Sequence, residues 1–305
     1  MTDPRPAPRS RGARAIAMAV AAVLVAAGAV TVWIASTRPA APPAASPAAT
    51  SPAAVPSATP TPTPTPSGAP ADTTAYPLDQ LPQVDVYAVI PALPVDTDPA
   101  GAFTGDLARA NAERIPVFAV PGQAPVATLP RDHFYDGTTV PVIERQEHWL
   151  HVLLTGRAAL PSAGNPGQVT GWVRAQDVEL SAWEQSIEVD LSARTIDVVG
   201  RDGARERVAD DYAWGAEGTP TPRGRSFVMM VRSEPSLTYT RGHPLVYLSV
   251  QSPTLDGFGG APVAVTAFHY HDARSGGISN GCLRLGPEAI ARLGQLPVGT
   301  PVVIR

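Results

Sequence analysis

The sequence predicts a mainly β protein. A mostly β domain with one short helix is expected at the carboxy terminus, preceded by a small β-barrel, a disordered proline-rich linker and one N-terminal transmembrane helix. Three observations carry this. Residues 15–35 are uncharged and almost wholly apolar. Residues 36–75 are mostly Ala, Pro, Ser and Thr with almost no charge. From residue 76 onward, short apolar runs with a period of two follow one another between turn residues. The boundaries read as a tail at 1–14, a span at 15–35, a linker at 36–75, a first β module at 76–181 and a second β domain at 182–305.

The apolar run matches the roughly 20 residues that cross a bilayer better than the shorter core of a signal peptide. Arg5, Arg9, Arg11 and Arg14 precede it and only Arg38 follows closely. That asymmetry predicts a cytoplasmic tail and an extracytoplasmic remainder. A cleaved signal is the alternative, and no cysteine stands near the run to take a lipid. The repeat TPTPTPTP from Thr59 to Pro66 cannot bury a core and reads as an extended, polyproline-like spacer.

The net charge is −4, and all 23 basic residues are arginine. No basic stripe is present, so nucleic acid is not an expected partner. The single cysteine, Cys282, excludes an internal disulfide and any multi-cysteine metal site. No metal or organic cofactor is expected, nor an oligomer.

Within the first module, Val84, Val86, Ala88 and Ile90 alternate as a strand would, and residues 104–113 read as one short helix. Strand-like runs follow at 117–120, 126–129, 139–143, 149–154 and 171–174, a spacing that favours a small barrel. EHWLHV from Glu147, GWVRA from Gly171 and the closing Val-Glu-Leu at 178–180 together resemble bacterial SH3-like domains. Such modules in exported proteins often bind wall peptides. The plainer reading, slightly favoured here, is that Trp149 and Trp172 are barrel core or half-buried surface. His133, His148 and His151 lack partners that would make them ligands.

The second domain opens with alternation at Ile187, Val189 and Leu191, and Asp202-Gly203 is a hairpin signal. Phe227, Met229 and Val231 alternate, as do Leu245, Tyr247 and Ser249. Pro287 suits the first turn of a helix whose face carries Ile290 and Leu293, with Gly294 as its stop. Residues 299–304 form the closing strand.

The chemistry concentrates in residues 264–285, AVTAFHYHDARSGGISNGCLRL. An alternating run through Val265 and Ala267 leads to His269 and His271, which therefore sit at a strand end. A thiol reacts as thiolate, and a nearby imidazole is the usual means of forming one at neutral pH. Gly281 allows close backbone approach and leaves amides free for an oxyanion. Arg284 offers a fork for a carboxylate. An isolated cysteine is more often inert and buried; Gly281, Arg284 and the paired histidines tip the reading toward reactivity. The two-residue spacing points both histidines to one side. They face the cysteine, or form a metal pair for which Asp272 is the sole nearby third ligand.

SNGCLRL at 279–285 resembles the S-H-G-C-x-R/N signature of the L,D-transpeptidase (YkuD-type) catalytic domain, a cell-wall cross-linking cysteine enzyme. GAEGTPTPRG at 215–224 is similar to that family's G-x-x-x-T-P-T-P-x-G segment, and 187–199 to its first hairpin. The resemblance covers about 184–305. Asn280 stands where the family usually has His, Tyr270 where it often has Gly or Ser, and the histidine-to-cysteine spacing is short. The resemblance implies a β-sandwich fold, Cys282 as nucleophile, and His269 as general base and acid, with His271 the alternative. It further implies an oxyanion site at the Gly281 backbone and substrate contacts at Arg284, Ser279, Asn280 and Tyr270. Thr219-Pro-Thr-Pro222 would shape the cleft floor, and Tyr239, His243 and Tyr247 lie where relatives carry a mobile flap.

The implied reaction cross-links peptidoglycan stem peptides through a thioester, outside the membrane at the cell wall. Water as acceptor would make it a carboxypeptidase. The competing reading is a wall-binding protein with a silent enzyme domain. A sortase-like enzyme fits poorly, since its arginine stands well apart from the cysteine.

Overall fold

The computed structural model describes residues 68–305. The expected span at 15–35 and the linker up to residue 67 lie outside the described residues. Among those described, no helix is long and apolar enough to cross a membrane.

The last part of the expected linker is docked instead of disordered. The Trp149 indole N–H donates to Pro70 O at 2.9 Å, and Arg174 donates to Thr74 O at 2.8 Å. Tyr76 stands edge-on to Phe118, centroids 5.7 Å apart. A proline-rich segment has free carbonyls, and two donors of the first module capture them. Local composition could not show this.

Residues 81–103 carry no regular strand. Val84, Val86 and Ile90 are buried as their alternation suggests. The run nevertheless turns at residues 86–87, and isolated bridges such as Gln83↔Thr128 and Val89↔Arg157 take the place of a ladder. The helix expected at 104–113 is a strand, β1 (Asp106–Ala110). Its Ala- and Arg-rich sequence favours helix locally, but both of its edges are taken by neighbouring strands. Tertiary pairing overrides a weak propensity.

β2 (Arg114–Val117) and β3 (Ala127–Pro130) form a two-stranded ribbon. β4 (Thr139–Arg145), β5 (Trp149–Leu153), β6 (Thr170–Arg174) and β7 (Val178–Ala182) join β1 in an antiparallel sheet ordered β6-β5-β4-β1-β7. Phe118 and Trp172 exchange backbone hydrogen bonds of 2.8 Å, fastening the ribbon to β6. Trp149 is fully buried against Phe118, whereas Trp172 is half-buried under the stacked ring of His151, 4.6 Å away.

The second domain begins with the hairpin β8 (Gln185–Asp190) and β9 (Thr195–Gly200), then β10 (Arg205–Ala209) and the short β11 (Ala213–Gly215). The β9–β10 turn holds Gly203 at φ +83°, as the Asp-Gly signal requires. β12 (Gly224–Arg232), β13 (Leu245–Gln251), β14 (Val265–Tyr270), β15 (Gly276–Ser279) and β16 (Leu283–Leu285) follow. α1 (Pro287–Leu293) has Pro287 at its start and Gly294 as C-cap, and β17 (Pro301–Ile304) closes the chain.

The expected sandwich takes the form of one curled sheet, ordered β10-β9-β8-β17-β12-β13-β14-β16-β11-β15. β12 is its corner. Gly224 to Phe227 pair with β17, and Val228 to Arg232 pair with β13 across a bulge. One long strand thus serves both halves, and the bulge supplies the bend.

The two faces of β12–β14 have different fates. Val228, Val246, Phe268 and Tyr270 point into a core with Ile290 and Leu293 of α1. Each such fully buried aliphatic or aromatic side chain contributes about 1.5–3 kcal/mol. Phe227, Met229, Tyr247 and Val265 point the other way and pack on the first module's core. Both sheets belong to one compact unit. A buried ion pair reinforces the joint: Arg225 on β12 donates to Asp96 through Nε and Nη2, both at 2.8 Å.

Candidate active site

The face of β14 that carries Val265 also carries Ala267 and His269, because side chains alternate along a strand. Near Val265 the first module covers this face; toward His269 it opens into a cleft of about 270 Å³. β16 runs parallel to β14, with His269 opposite Arg284 and Phe268 opposite Leu283. One step back along that register, Cys282 falls beside Ala267. Cys282, Arg284 and His269 therefore share one face of two adjacent strands, and all three line the cleft. The Cys282 thiol lies 3.9 Å from Val265 O.

His269 is 6% exposed. Its Nδ1 donates to Tyr270 O at 2.9 Å, because a carbonyl can only accept. This fixes the tautomer and leaves Nε2 to accept a proton. Burial pushes the imidazole down to about 4, and the neighbouring Arg284 and His271 add to the effect against the opposing Tyr270 carbonyl. Burial likewise pushes the Cys282 thiol up, opposed by the Ala267 amide and Arg284. The resting pair is therefore neutral imidazole and neutral thiol. Tyr239 stands edge-on to His269, centroids 5.3 Å apart, and shields it from solvent.

His271 lies beyond the end of β14, its ring 6.2 Å from that of His269. Its Nδ1 accepts the Ala273 N–H at 2.9 Å. Both histidines line the cleft, as their spacing suggested, with His269 one strand repeat nearer to Cys282. Among the described residues no group of His, Cys, Asp or Glu is arranged to hold a metal, so the metal-pair alternative lacks a ligand set there.

The turn before Cys282 is braced from behind. Thr219 Oγ1 donates to Ser279 O and Thr221 Oγ1 to Gly281 O, both at 2.9 Å, while Thr221 Oγ1 accepts the Gly215 N–H at 2.9 Å. The TPTP segment thus sits beneath the cysteine turn and does not floor the cleft. Ser279 is 2% exposed; its hydroxyl donates to Cys282 O at 2.5 Å and accepts the Gly281 N–H at 3.2 Å. It orders the turn and has no hydroxyl proton to spare for a substrate. The Gly281 amide, expected to be free for an oxyanion, is engaged by Ser279.

Gly281 is required for its backbone, at φ +107°. A side chain there is strained by about 1–3 kcal/mol. Gly281→Ala is expected to lower the melting temperature and to slow alkylation of the displaced Cys282. An unchanged melting temperature would show the turn to be tolerant.

Ser279, Asn280 and Arg284 all line the cleft. Arg284 makes no ion pair among the described residues, and its Nε is buried without a partner. Tyr270, expected as a substrate contact, does not reach it. Strand alternation turns its ring to the opposite face, where it stacks on His243 at 4.9 Å and its hydroxyl donates to Asp272 at 2.6 Å. No motif or spacing marks Phe258, an exposed aromatic in the β13–β14 loop that also lines the cleft. Tyr239 was marked only by position.

Residues 184–304 match the YkuD family, described as the L,D-transpeptidase catalytic domain. A search of curated proteins finds no match. Among solved structures, an L,D-transpeptidase from Mycobacterium smegmatis is 18% identical with a TM-score of 0.29, over 52% of this chain and 91% of that one. One from Mycobacterium tuberculosis is 19% identical with a TM-score of 0.31, over 52% and 90%. One from Enterococcus faecium is 23% identical with a TM-score of 0.26, over 40% and 50%.

Proposed function

We propose, from the match of residues 184–304 to the YkuD family, that the protein is a peptidoglycan L,D-transpeptidase that works through a thioester on Cys282. The observation that carries this is the shared face: thiol, imidazole and guanidinium project from two adjacent parallel strands into one cleft.

His269 Nε2 takes the Cys282 proton as sulfur attacks the carbonyl that precedes a terminal D-alanine of a stem peptide. The neutral resting pair means that proton transfer accompanies attack and does not precede it. The tetrahedral oxyanion is held by backbone N–H groups. With the Gly281 amide engaged, the Cys282 and Asn280 amides are the candidates at this turn. Collapse breaks the C–N bond; D-alanine leaves with the proton from His269, and the acyl group stays on sulfur. An amine of a second stem peptide then attacks, His269 takes its proton, and the thiol is restored as the cross-link forms. Arg284 and Asn280 hold polar groups of the donor, and no cofactor enters. His271 is the alternative base.

The same reading assigns residues 76–181 to an SH3-like module that engages wall peptides. It places the folded part outside the membrane behind the span at 15–35, with the chain acting as a monomer.

The test is intact mass after incubation with a carbapenem, an acylating mimic of the D-alanine terminus. One stable adduct on the wild-type chain, absent in Cys282→Ala, is the expected result. Stem-peptide assays then separate cross-linking from hydrolysis. No adduct on a folded chain would sink the acyl-transfer reading and favour a wall-binding protein with a silent domain.

A further inference from the structure

We propose that Arg157, in the first module, is a positioning residue for the cleft: it fixes the arm 252–264 so that Phe258 forms one wall beside Cys282. What that wall is for rests on the acyl-transfer reading above.

The arm joins β13 to β14 and has the form of a small hairpin. At its tip Phe258 and Ala261 exchange backbone hydrogen bonds of 3.1 and 3.0 Å around Gly259 and Gly260, at φ +61° and +85°. Two positive φ values in a two-residue turn are what this tight hairpin needs. Phe258 is 54% exposed, yet it lines the same cleft as Cys282 and His269. A large aromatic left half in water at a cleft mouth is suited to cover the apolar part of an extended substrate.

The arm buries few side chains of its own, and its support comes largely from the first module. Arg157 is 1% exposed. Its guanidinium donates to Leu255 O at 3.1 Å, Asp256 O at 2.6 Å and Pro262 O at 3.3 Å. These carbonyls lie on both legs of the hairpin, so one rigid fork ties the outgoing strand to the returning one. Among the described residues no carboxylate pairs with it. The Asp256 side chain turns away to Ser162, accepting its N–H at 3.0 Å and its hydroxyl at 2.6 Å. Arg157 is itself anchored: its N–H donates to Ala88 O at 3.0 Å and its carbonyl accepts the Ile90 N–H at 2.8 Å.

At the base of the arm, Gln251 donates to Val86 O at 2.8 Å and accepts the Ala264 N–H at 3.2 Å. A buried guanidinium is costly to desolvate, and three backbone carbonyls compensate it only while the arm stays folded against it. The arm's position is thus written into the first module.

The experiment uses the full-length chain with Arg157→Gln, Arg157→Lys, Ser162→Ala and Phe258→Ala. Three readouts are taken: deuterium exchange of amides 255–262, KM and kcat for acylation by a stem peptide, and the rate of Cys282 alkylation by iodoacetamide. Arg157→Gln is expected to speed arm exchange by about tenfold or more. It should raise KM toward the Phe258→Ala value while kcat and alkylation stay within about twofold. Arg157→Lys restores part of the protection, having charge but no fork.

Unchanged arm exchange in Arg157→Gln overturns the proposal, and so does an alkylation rate that falls in step with KM. If Arg157→Gln does not fold, Ser162→Ala decides: arm exchange and KM must both rise, and if neither does, the proposal fails. Should the wild type show no acyl transfer at all, the functional reading has failed instead, and arm exchange alone still decides the clamp.

Discussion

Asp96→Ala is expected to cost about 3–5 kcal/mol of unfolding free energy, the largest stability effect of any single side chain discussed for this protein. Asp96 and Arg225 are 5% and 6% exposed at their side chains. Arg225 holds both carboxylate oxygens and also donates to Ala102 O at 3.0 Å. Removing the carboxylate leaves that guanidinium buried with one carbonyl. Burial alone would raise the Asp96 carboxyl, but Arg225 and the Asp98 amide outweigh it and hold the group below the ordinary carboxylate range. The stabilisation is therefore complete at neutral pH and is lost only as pH falls through that lowered value. Urea unfolding measures the loss, and a change below about 1 kcal/mol would show the pair to be dispensable. Replacing both partners together, as in Asp96→Leu with Arg225→Met, should recover much of it, since a buried pair is worth little more than apolar packing of the same shape.

His269→Ala is expected to slow acylation of Cys282 by about 10²–10⁴-fold, the usual contribution of a positioned general base. Burial pushes the thiol up, so without His269 only His271, the alternative base, is left in the cleft to draw its proton. Alkylation of the wild type should keep rising into the alkaline range, and a plateau below pH 7 would contradict the neutral resting pair.

His269 also makes stability depend on pH. The unfolded chain binds the imidazole proton near the ordinary histidine value, 6.5, and the folded chain only near 4. Stability therefore falls as pH drops from about 6.5 to 4, by up to about 3 kcal/mol for this group. Burial of His151 and of His271 acts in the same direction. His269→Asn should flatten the dependence in that window and leave the share of His151 and His271. An unchanged slope would mean that His269 does not titrate as its burial demands.

Much of the site was legible because its signals are local. The alternation through Val265 and Ala267 placed His269 at a strand end, and a single cysteine after a glycine singled out Cys282. Pro287, Ile290, Leu293 and Gly294 marked the only α-helix among the described residues. The same local logic failed where a tertiary partner decides. Residues 106–110 form a strand because β4 and β7 take both their edges, against their own helical preference. Residues 68–75 are ordered because Trp149 and Arg174 capture their carbonyls. Tyr270 was assigned to the cleft by its neighbours in sequence, and the pleat turned it to the other face.

Legible in the chain itself were the β class of the carboxy-terminal domain, its helix, strands such as β8, β12, β13, β14 and β17, and the residue types gathered at the candidate site. All of these depend on periodicity and on contacts between residues near in the chain. Long-range pairing instead placed β16 parallel beside β14, which sets Cys282 and Arg284 on the face of His269. Long-range contacts likewise decided that Thr219 and Thr221 brace the cysteine turn, and that Arg157 holds an arm about a hundred residues away in sequence. The physical reason is the same in each case. A strand's register and a buried polar group's partner are fixed by whatever long-range surface satisfies its hydrogen bonds, and that surface is not encoded in the residue's own neighbourhood.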